Sequence, residues 1–205
     1  MNIFRQLTQK PWLDVGENVI DIKQGTTTPT PAAKIGLFWL LASITVVFSL
    51  ISIGYSYRLT LPDWEPLPDP SLLWLNTGIL LLGSISLENA RKLARQGEIK
   101  KAKNKLIIAG GLTILFLLGQ FWISNELAAM GYYAAANPAN AFFYLITWLH
   151  ALHLFGGLVA WGRAINHINR SDNANKIALT LELCAIYWHF LFLVWLILFI
   201  LMIFS

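Results

Sequence analysis

Five long apolar segments constrain what this chain can fold into more than any other feature of its sequence. They lie near residues 35–57, 72–90, 106–124, 141–164 and 179–204. A helix of about 20 apolar residues crosses the hydrocarbon core of a bilayer, and none of the segments shows the period-2 alternation of a barrel strand. A backbone in lipid must satisfy its own hydrogen bonds. We therefore predict an all-α polytopic membrane protein, a bundle of five transmembrane helices.

The orientation of the bundle follows from its basic residues, since Lys and Arg in short loops resist translocation. All but one of the 15 basic residues lie in the N-terminal tail, the second connection or the fourth connection. The exception is Arg58, which shares its side with acidic residues such as Asp63 and Glu126. We expect the N-terminus on the cytoplasmic side of the membrane and the C-terminus on the other side.

The chain divides into a tail and one membrane domain. Residues 1–34 are polar and carry a Thr- and Pro-rich stretch, which predicts an extended cytoplasmic tail. Residues 35–205 form the five-helix membrane domain. Four prolines between residues 61 and 70 are expected to hold the first loop extended. The basic residues 91–105 have helix-forming composition, so helices two and three are expected to continue into this connection.

Polar side chains inside transmembrane segments are candidates for function, because lipid makes them expensive. In this sequence such candidates are few. They are Asn76, Thr77 and Glu88 in segment two, Gln120 in segment three, His150, His153 and Arg163 in segment four, and Glu182 and His189 in segment five.

His150, His153 and His189 are predicted at similar depth, which permits a metal or haem site. His150 and His153 share a helix face because they are three residues apart. The alternatives are histidines that only pack and hydrogen-bond between helices, which we favour, or a proton relay. Neither catalytic nor metal-ligating residues are assigned in this chain.

Two further interpretations concern the cytoplasmic ends of segments four and five. Arg163 and Glu182 could form an ion pair. Arg163, Arg170 and Lys176, near Trp161, would suit a phosphate, so we expect a bound phospholipid there.

Several classes of function are unsupported by the sequence. The net charge of +4 is explained by the membrane topology, so no nucleic-acid partner is expected. The single Cys184 has no partner within the chain for a disulfide. Walker, dinucleotide-binding, HExxH and nucleophile-elbow motifs are absent from the sequence. Enzymatic activity in this chain alone is not expected.

Three segments carry motifs that are typical of one family of membrane proteins. Segment five reads E-x4-YWHF-x3-VWLxLF over residues 182–199, a pattern similar to the last helix of that family and one that includes Trp188. Segment four reads FFYLITWLHALH over residues 142–153 and continues to Gly156-Gly157. Segment two contains Leu75-Asn76-Thr77. The order of these motifs and the helix count resemble the short, five-helix bacterial members of subunit III of the haem-copper oxidases. This resemblance implies a location in a bacterial inner membrane.

The sequence departs from the family at three acidic positions. Ile44 follows Leu41-Ala42-Ser43 where the family usually has glutamate, Ile123 stands three residues after Gln120 where a second glutamate is usual, and Phe192 replaces an aspartate. A role in proton uptake that depends on these acids is therefore not expected in this chain.

The resemblance implies a non-catalytic accessory subunit of a respiratory terminal oxidase, with cytochrome c oxidase as the first choice. It would stabilise the catalytic subunit I, bind phospholipid, contact other oxidase subunits and support proton uptake. Haems and copper would belong to its partners, and this chain would carry no cofactor. The residues with a lipid-binding or structural role would be His150, His153, Arg163, Glu182, His189, Trp188, Asn76 and Gln120. The alternatives are a quinol oxidase subunit III, a nitric oxide reductase accessory subunit, and a b-type cytochrome anchor using His189 with His150 or His153.

Overall fold

A computed structural model describes residues 32–65, 71–170 and 174–203 of the chain, and all of its regular elements there are helices. They are α1 (Ala32–Arg58), α2 (Ser71–Arg95), α3 (Ile99–Ala129), α4 (Pro138–Arg170) and α5 (Ala174–Ile203). All five are long and apolar enough to cross a membrane. The predicted all-α bundle of five transmembrane helices is confirmed.

Each helix except α5 extends past both ends of its apolar segment. Helix α2 continues to Arg95 and α3 begins at Ile99, so the basic connection is helical except for a tight turn. Gly97 makes that turn with a φ of +80°, a conformation that only glycine adopts at no steric cost. Helix α1 begins at Ala32, so Lys34, expected in the tail, lies in its first turn. The rest of the predicted tail and loop residues 66–70 lie outside the described residues.

Helix α4 begins where its sequence specifies a start. Pro138 occupies the first helical position, where its missing N–H costs nothing. The preceding Asn137 accepts a hydrogen bond from the Ala139 backbone N–H at 2.9 Å through its side-chain oxygen. This is the bond of an N-terminal cap.

Helices α2, α3, α4 and α5 pack in a ring, with α2 next to α3, α3 next to α4, α4 next to α5, and α5 next to α2. We call the end of this ring that carries the α2–α3 and α4–α5 connections the basic end, and the other the far end. At the basic end, α2 and α3 meet through small residues such as Ala90, Ala94, Ala102 and Ala109. Small side chains let transmembrane helices approach closely.

Helix α1 lies outside the ring, against α4 and α5. It contributes a stripe of buried side chains, Leu41, Ile44, Phe48 and Tyr55. The Tyr55 ring meets the Phe142 ring of α4 edge-on at 5.5 Å. In the described residues the backbone of α1 stays further from its neighbouring helices than the backbone of α2 does from α3. Grooves therefore remain beside α1.

Candidate functional site

His150 lies at the centre of the bundle and packs among aromatic rings. Its side chain is 0% exposed, and its ring lies 4.9 Å from the Trp195 ring, 6.0 Å from Phe116 and 6.4 Å from Phe48. Neither ring nitrogen has a hydrogen-bond partner among the described residues. These close ring contacts leave no room for a haem against the imidazole.

The other two histidines are engaged with their own helices. The Nδ1 of His153 donates to the Leu149 carbonyl at 2.7 Å, and its ring lies 5.4 Å from Phe48. The Nδ1 of His189 donates to the Ala185 carbonyl. His150 instead faces Phe48 of α1, Phe116 of α3 and Trp195 of α5. In the described part of the chain, no group of three or more His, Cys, Asp or Glu side chains could hold a metal ion.

Two tryptophans of α5 connect this helix to its neighbours through threonine hydroxyls. The indole N–H of Trp188 donates to Thr113 of α3, and that of Trp195 donates to Thr77 of α2, both at 3.1 Å. Each threonine in turn donates to its own helix, to the Ala109 and Leu73 carbonyls respectively. The hydroxyls therefore act as both donor and acceptor, which satisfies all four groups inside the membrane.

Asn76 makes a corresponding contact between α2 and α3. Its side-chain amide donates to the Phe116 carbonyl at 3.0 Å, and the residue is buried. Gly119 makes this approach possible, since a Cβ at that position would lie 2.4 Å from the Asn76 Oδ1.

Glu182 lies at the basic end and joins three helices. Its carboxylate contacts the Lys34 Nζ of α1 at 2.7 Å and an Arg95 guanidinium nitrogen of α2 at 3.4 Å. The expected pair between Glu182 and Arg163 is wrong. Arg163 is exposed on α4 and makes no ion pair with the described residues. The Glu182 carboxylate instead forms ion pairs with Lys34 and Arg95. The sequence did not place the helices of these two residues beside α5.

Arg163 lies on a groove between α1, α4 and α5, which we call the Arg163 groove. Its volume is about 520 Å³. Gly156, Gly157 and Ala160 form part of its wall on α4, Leu37 and Leu40 line it from α1, and Tyr187 lines it from α5. The Tyr187 hydroxyl donates to the His153 carbonyl at 2.9 Å. The groove is apolar along most of its wall and carries a cation near the basic end.

Trp161 does not lie beside Arg163 as expected. Its indole N–H donates to the Leu106 carbonyl of α3 at 2.8 Å, and its ring packs on Gly110. Residues two apart on a helix are about 200° apart around its axis, so the two side chains point to different faces. Arg170 and Lys176 are both exposed, and neither lines the Arg163 groove.

A second groove opens between α3 and α4 toward the far end, with Gln120 and Thr147 on its wall. We call it the Gln120 groove, and its volume is about 340 Å³. Gln120 is 3% exposed and Thr147 is 2% exposed. Neither the amide of Gln120 nor the hydroxyl of Thr147 has a hydrogen-bond partner within the described residues.

Some of these residues were missing from the sequence prediction. Lys34 was assigned only to the N-terminal tail and Arg95 only to the second connection, and Thr113 and Thr147 were not singled out. One signal was present: Trp188 and Trp195 are seven residues apart, which places them on one face of α5 with both indole N–H groups in need of acceptors. No pattern along one helix identifies the partners on another.

Comparison with known proteins settles the family. A family model described as cytochrome c oxidase subunit III matches residues 34–205, which include almost all of the five helices. The chain belongs to the cytochrome c oxidase subunit III family. The resemblance noted in the sequence is thereby confirmed, and the protein is a subunit III of the haem-copper oxidase type.

Its relatives are bacterial oxidase subunits. Cytochrome c oxidase subunit 3 of Synechocystis sp. is 29% identical over 175 residues, covering 80% of this chain and 72% of the relative. Probable cytochrome c oxidase subunit 3 of Mycobacterium tuberculosis is 26% identical over 167 residues, covering 80% and 82%. Cytochrome bo(3) ubiquinol oxidase subunit 3 of Buchnera aphidicola is 24% identical over 156 residues, covering 76% and 75%.

The three positions where this subunit III lacks an acid lie in apolar surroundings. Ile44 is 3% exposed and Ile123 is 0% exposed, and both belong to the hydrophobic core. Phe192 is partly buried and packs against the same core. None of the three can carry a proton.

Proposed function

We propose that this subunit III is a non-catalytic scaffold of a respiratory haem-copper terminal oxidase. It holds the catalytic subunit in the bacterial cytoplasmic membrane, with its basic end on the cytoplasmic side. The observation that carries this proposal is the way the polar groups at the bundle centre are used. Trp188 hydrogen-bonds to Thr113 and Trp195 to Thr77, in each case across two helices. His150 is enclosed by aromatic rings.

These contacts support packing rather than redox chemistry. An axial haem ligand needs a free nitrogen facing open space, and His150 faces the Trp195 and Phe116 rings instead. The proposal assigns the haems and copper to partner subunits. The proposal routes no proton through positions 44, 123 and 192, because their side chains are apolar.

The electron donor of the complex is proposed as cytochrome c. Cytochrome c oxidase is named for the Synechocystis relative and, as probable, for the mycobacterial one, while the Buchnera relative is named a ubiquinol oxidase subunit. We therefore keep the quinol oxidase as the second candidate.

One purification tests both points. The chain is affinity-tagged in its own host, and membranes are extracted in a mild detergent. We expect a haem- and copper-bearing subunit to co-purify, and the complex to oxidise reduced cytochrome c. Oxidation of a quinol without cytochrome c would select the second candidate. Recovery of the chain with no haem-bearing subunit would contradict the proposal.

We further propose that the Arg163 groove binds a phospholipid. A guanidinium at a membrane interface attracts the phosphate of a headgroup, and an apolar wall suits an acyl chain. The lining residues Leu37, Leu40 and Ala160 extend from the region of Arg163 toward the bundle centre, as an acyl chain would.

The lipid proposal is tested with Arg163→Gln and the matched control Lys100→Gln, which removes an exposed cation at the same end. Phospholipid retained by the purified complex is counted by mass spectrometry. We expect Arg163→Gln to lose at least one phospholipid per complex and Lys100→Gln to lose none. Equal phospholipid counts in the two variants would contradict the assignment of the groove.

A further inference from the structure

The Gln120 groove contains two buried polar side chains whose hydrogen-bonding groups are unused. The other buried hydroxyl on its wall, that of Ser124, donates to the Gln120 backbone carbonyl at 2.9 Å. The Gln120 amide and the Thr147 hydroxyl have no partner within the described residues. Leaving a buried donor or acceptor unpaired costs about 1–3 kcal/mol.

Thr147 differs from every other helical threonine that the structure describes. Thr45, Thr77, Thr113 and Thr180 each donate to the carbonyl four residues earlier in their own helix. This bond is the usual way a transmembrane helix satisfies a threonine hydroxyl. The Thr147 hydroxyl does not make it and borders the groove instead.

The depth of these groups excludes a lipid headgroup as their partner. Gln120 is nine residues from the end of α3 at Ala129, and Thr147 is nine residues from the start of α4 at Pro138. At 1.5 Å per residue both lie roughly 13 Å below the helix ends. Acyl chains reach this depth but offer no hydrogen bonds, so a lipid would fill the groove and leave both side chains unpaired.

The rim of the groove suits a protein surface. Phe121 and Trp148 stand on either side of it, 55% and 49% exposed, with their rings edge-on at 6.3 Å. Leu152 and Phe155 extend the apolar rim along α4 and are also exposed. Aromatic side chains are enriched where protein surfaces pack together, so this apolar rim offers a neighbouring transmembrane helix a surface to pack on.

We propose that a transmembrane helix of the catalytic subunit packs in the Gln120 groove. That helix carries an amide or hydroxyl side chain that hydrogen-bonds to the Gln120 amide and the Thr147 hydroxyl. The inference rests on the proposed function, since it names the face through which this subunit III holds its partner. His150 also has unused nitrogens, but it borders none of the described grooves and carries no such inference.

The first test is site-specific photocrosslinking in the intact complex. A photoreactive amino acid is placed at Phe155 on the rim of the Gln120 groove or, as control, at Ile53, which is 66% exposed on a groove between α1 and α5. We expect the catalytic subunit to be captured from Phe155 and not from Ile53. Capture from Ile53 alone, or of lipid alone from Phe155 in a complex that retains its haem-bearing subunit, would overturn the inference and leave the proposed function standing.

The second test measures how firmly the partner is held. Gln120→Leu with Thr147→Val removes both polar groups, and Thr45→Val makes the same threonine change in the α1–α5 groove. As detergent is raised, we expect the double variant to retain the catalytic subunit about tenfold less well, since interhelical hydrogen bonds in membranes contribute modestly. Thr45→Val should match the unmodified complex. Equal retention in all three would overturn the inference, whereas absence of a haem-bearing subunit from the unmodified complex would refute the proposed function itself.

Discussion

Gly110 and Gly111 are adjacent on α3, and replacing each with alanine should affect stability very differently. A Cβ at Gly110 would lie 2.2 Å from Cε2, 2.3 Å from Cζ2 and 2.6 Å from Nε1 of the Trp161 ring. A Cβ at Gly111 would meet nothing within 4 Å. The two variants therefore add the same methyl group to the same helix, and only the one at Gly110 clashes with the Trp161 ring.

The Trp161 ring cannot retreat without cost. Ordinary contacts begin near 3.4 Å, so the ring would have to move by about 1 Å, and its N–H is held by the Leu106 carbonyl at 2.8 Å. Overfilling a packed site costs about 1–3 kcal/mol. A lost interhelical hydrogen bond in a membrane protein adds roughly 0.6 kcal/mol, with a maximum near 1.7.

Helix propensity works in the other direction and is the same for both variants. Alanine is favoured over glycine in a helix interior by up to about 1 kcal/mol. Gly111→Ala is therefore expected to be neutral or stabilising. Gly110→Ala should be about 2 kcal/mol less stable than Gly111→Ala, close to a 30-fold difference in the folding equilibrium.

The assay is thermal unfolding of the purified protein in one detergent, followed by loss of the monodisperse chromatographic peak. At roughly 2–4 °C per kcal/mol for a chain of this size, Gly110→Ala should unfold several degrees below Gly111→Ala. Combining Gly110→Ala with Trp161→Leu should recover part of the loss, because the smaller side chain admits the new methyl group. Identical midpoints for the two single variants, or no recovery in the double variant, would refute the packing argument.

Three further substitutions test the interior contacts by the same unfolding assay. Gly119→Ala should destabilise the bundle by about 1–3 kcal/mol, because the new Cβ displaces the buried amide of Asn76. Adding Asn76→Ala should relieve the clash. An unchanged unfolding midpoint in the single variant would contradict the contact. Thr113→Val should cost about 1 kcal/mol by leaving the Trp188 N–H unpaired, and Trp188→Phe in the same chain should make Thr113→Val nearly neutral. His150→Phe should be neutral or stabilising, since neither nitrogen is bonded, and loss of assembly would show that the imidazole acts as more than a packing group.

The number and kind of helices could be predicted from the sequence because each segment must satisfy its backbone hydrogen bonds within itself. A run of about 20 apolar residues in lipid has only the helix available to satisfy its backbone. Even the helical extension into the basic connection was indicated by composition, and Gly97 marks the turn between α2 and α3.

Contacts between helices could not be read in this way. The partners of Glu182 depend on α2 and α1 both meeting α5, and nothing within segment five indicates that Lys34 and Arg95 lie there. The depth of the histidines suggested one site, but depth does not fix the face of a helix. His150 points into the aromatic centre, while the His189 ring donates to the Ala185 carbonyl of its own helix.

The Gln120 groove shows the same difference. Gln120 was recognised as a polar residue in a transmembrane segment, but its lack of a partner depends on Thr147 and on the shape of the groove between α3 and α4. A sequence shows which polar groups are buried in lipid. Only the packed structure shows which of them remain unpaired.

The central claim is that this subunit III organises an oxidase whose redox chemistry lies in other chains. The most direct measurement is the haem and copper content of the purified complex, per catalytic subunit, before and after this chain is stripped off with a harsher detergent. The account predicts unchanged ratios and no haem absorbance in the released chain. Haem that leaves with the chain, and that is absent when the chain carries His189→Ala, would contradict it.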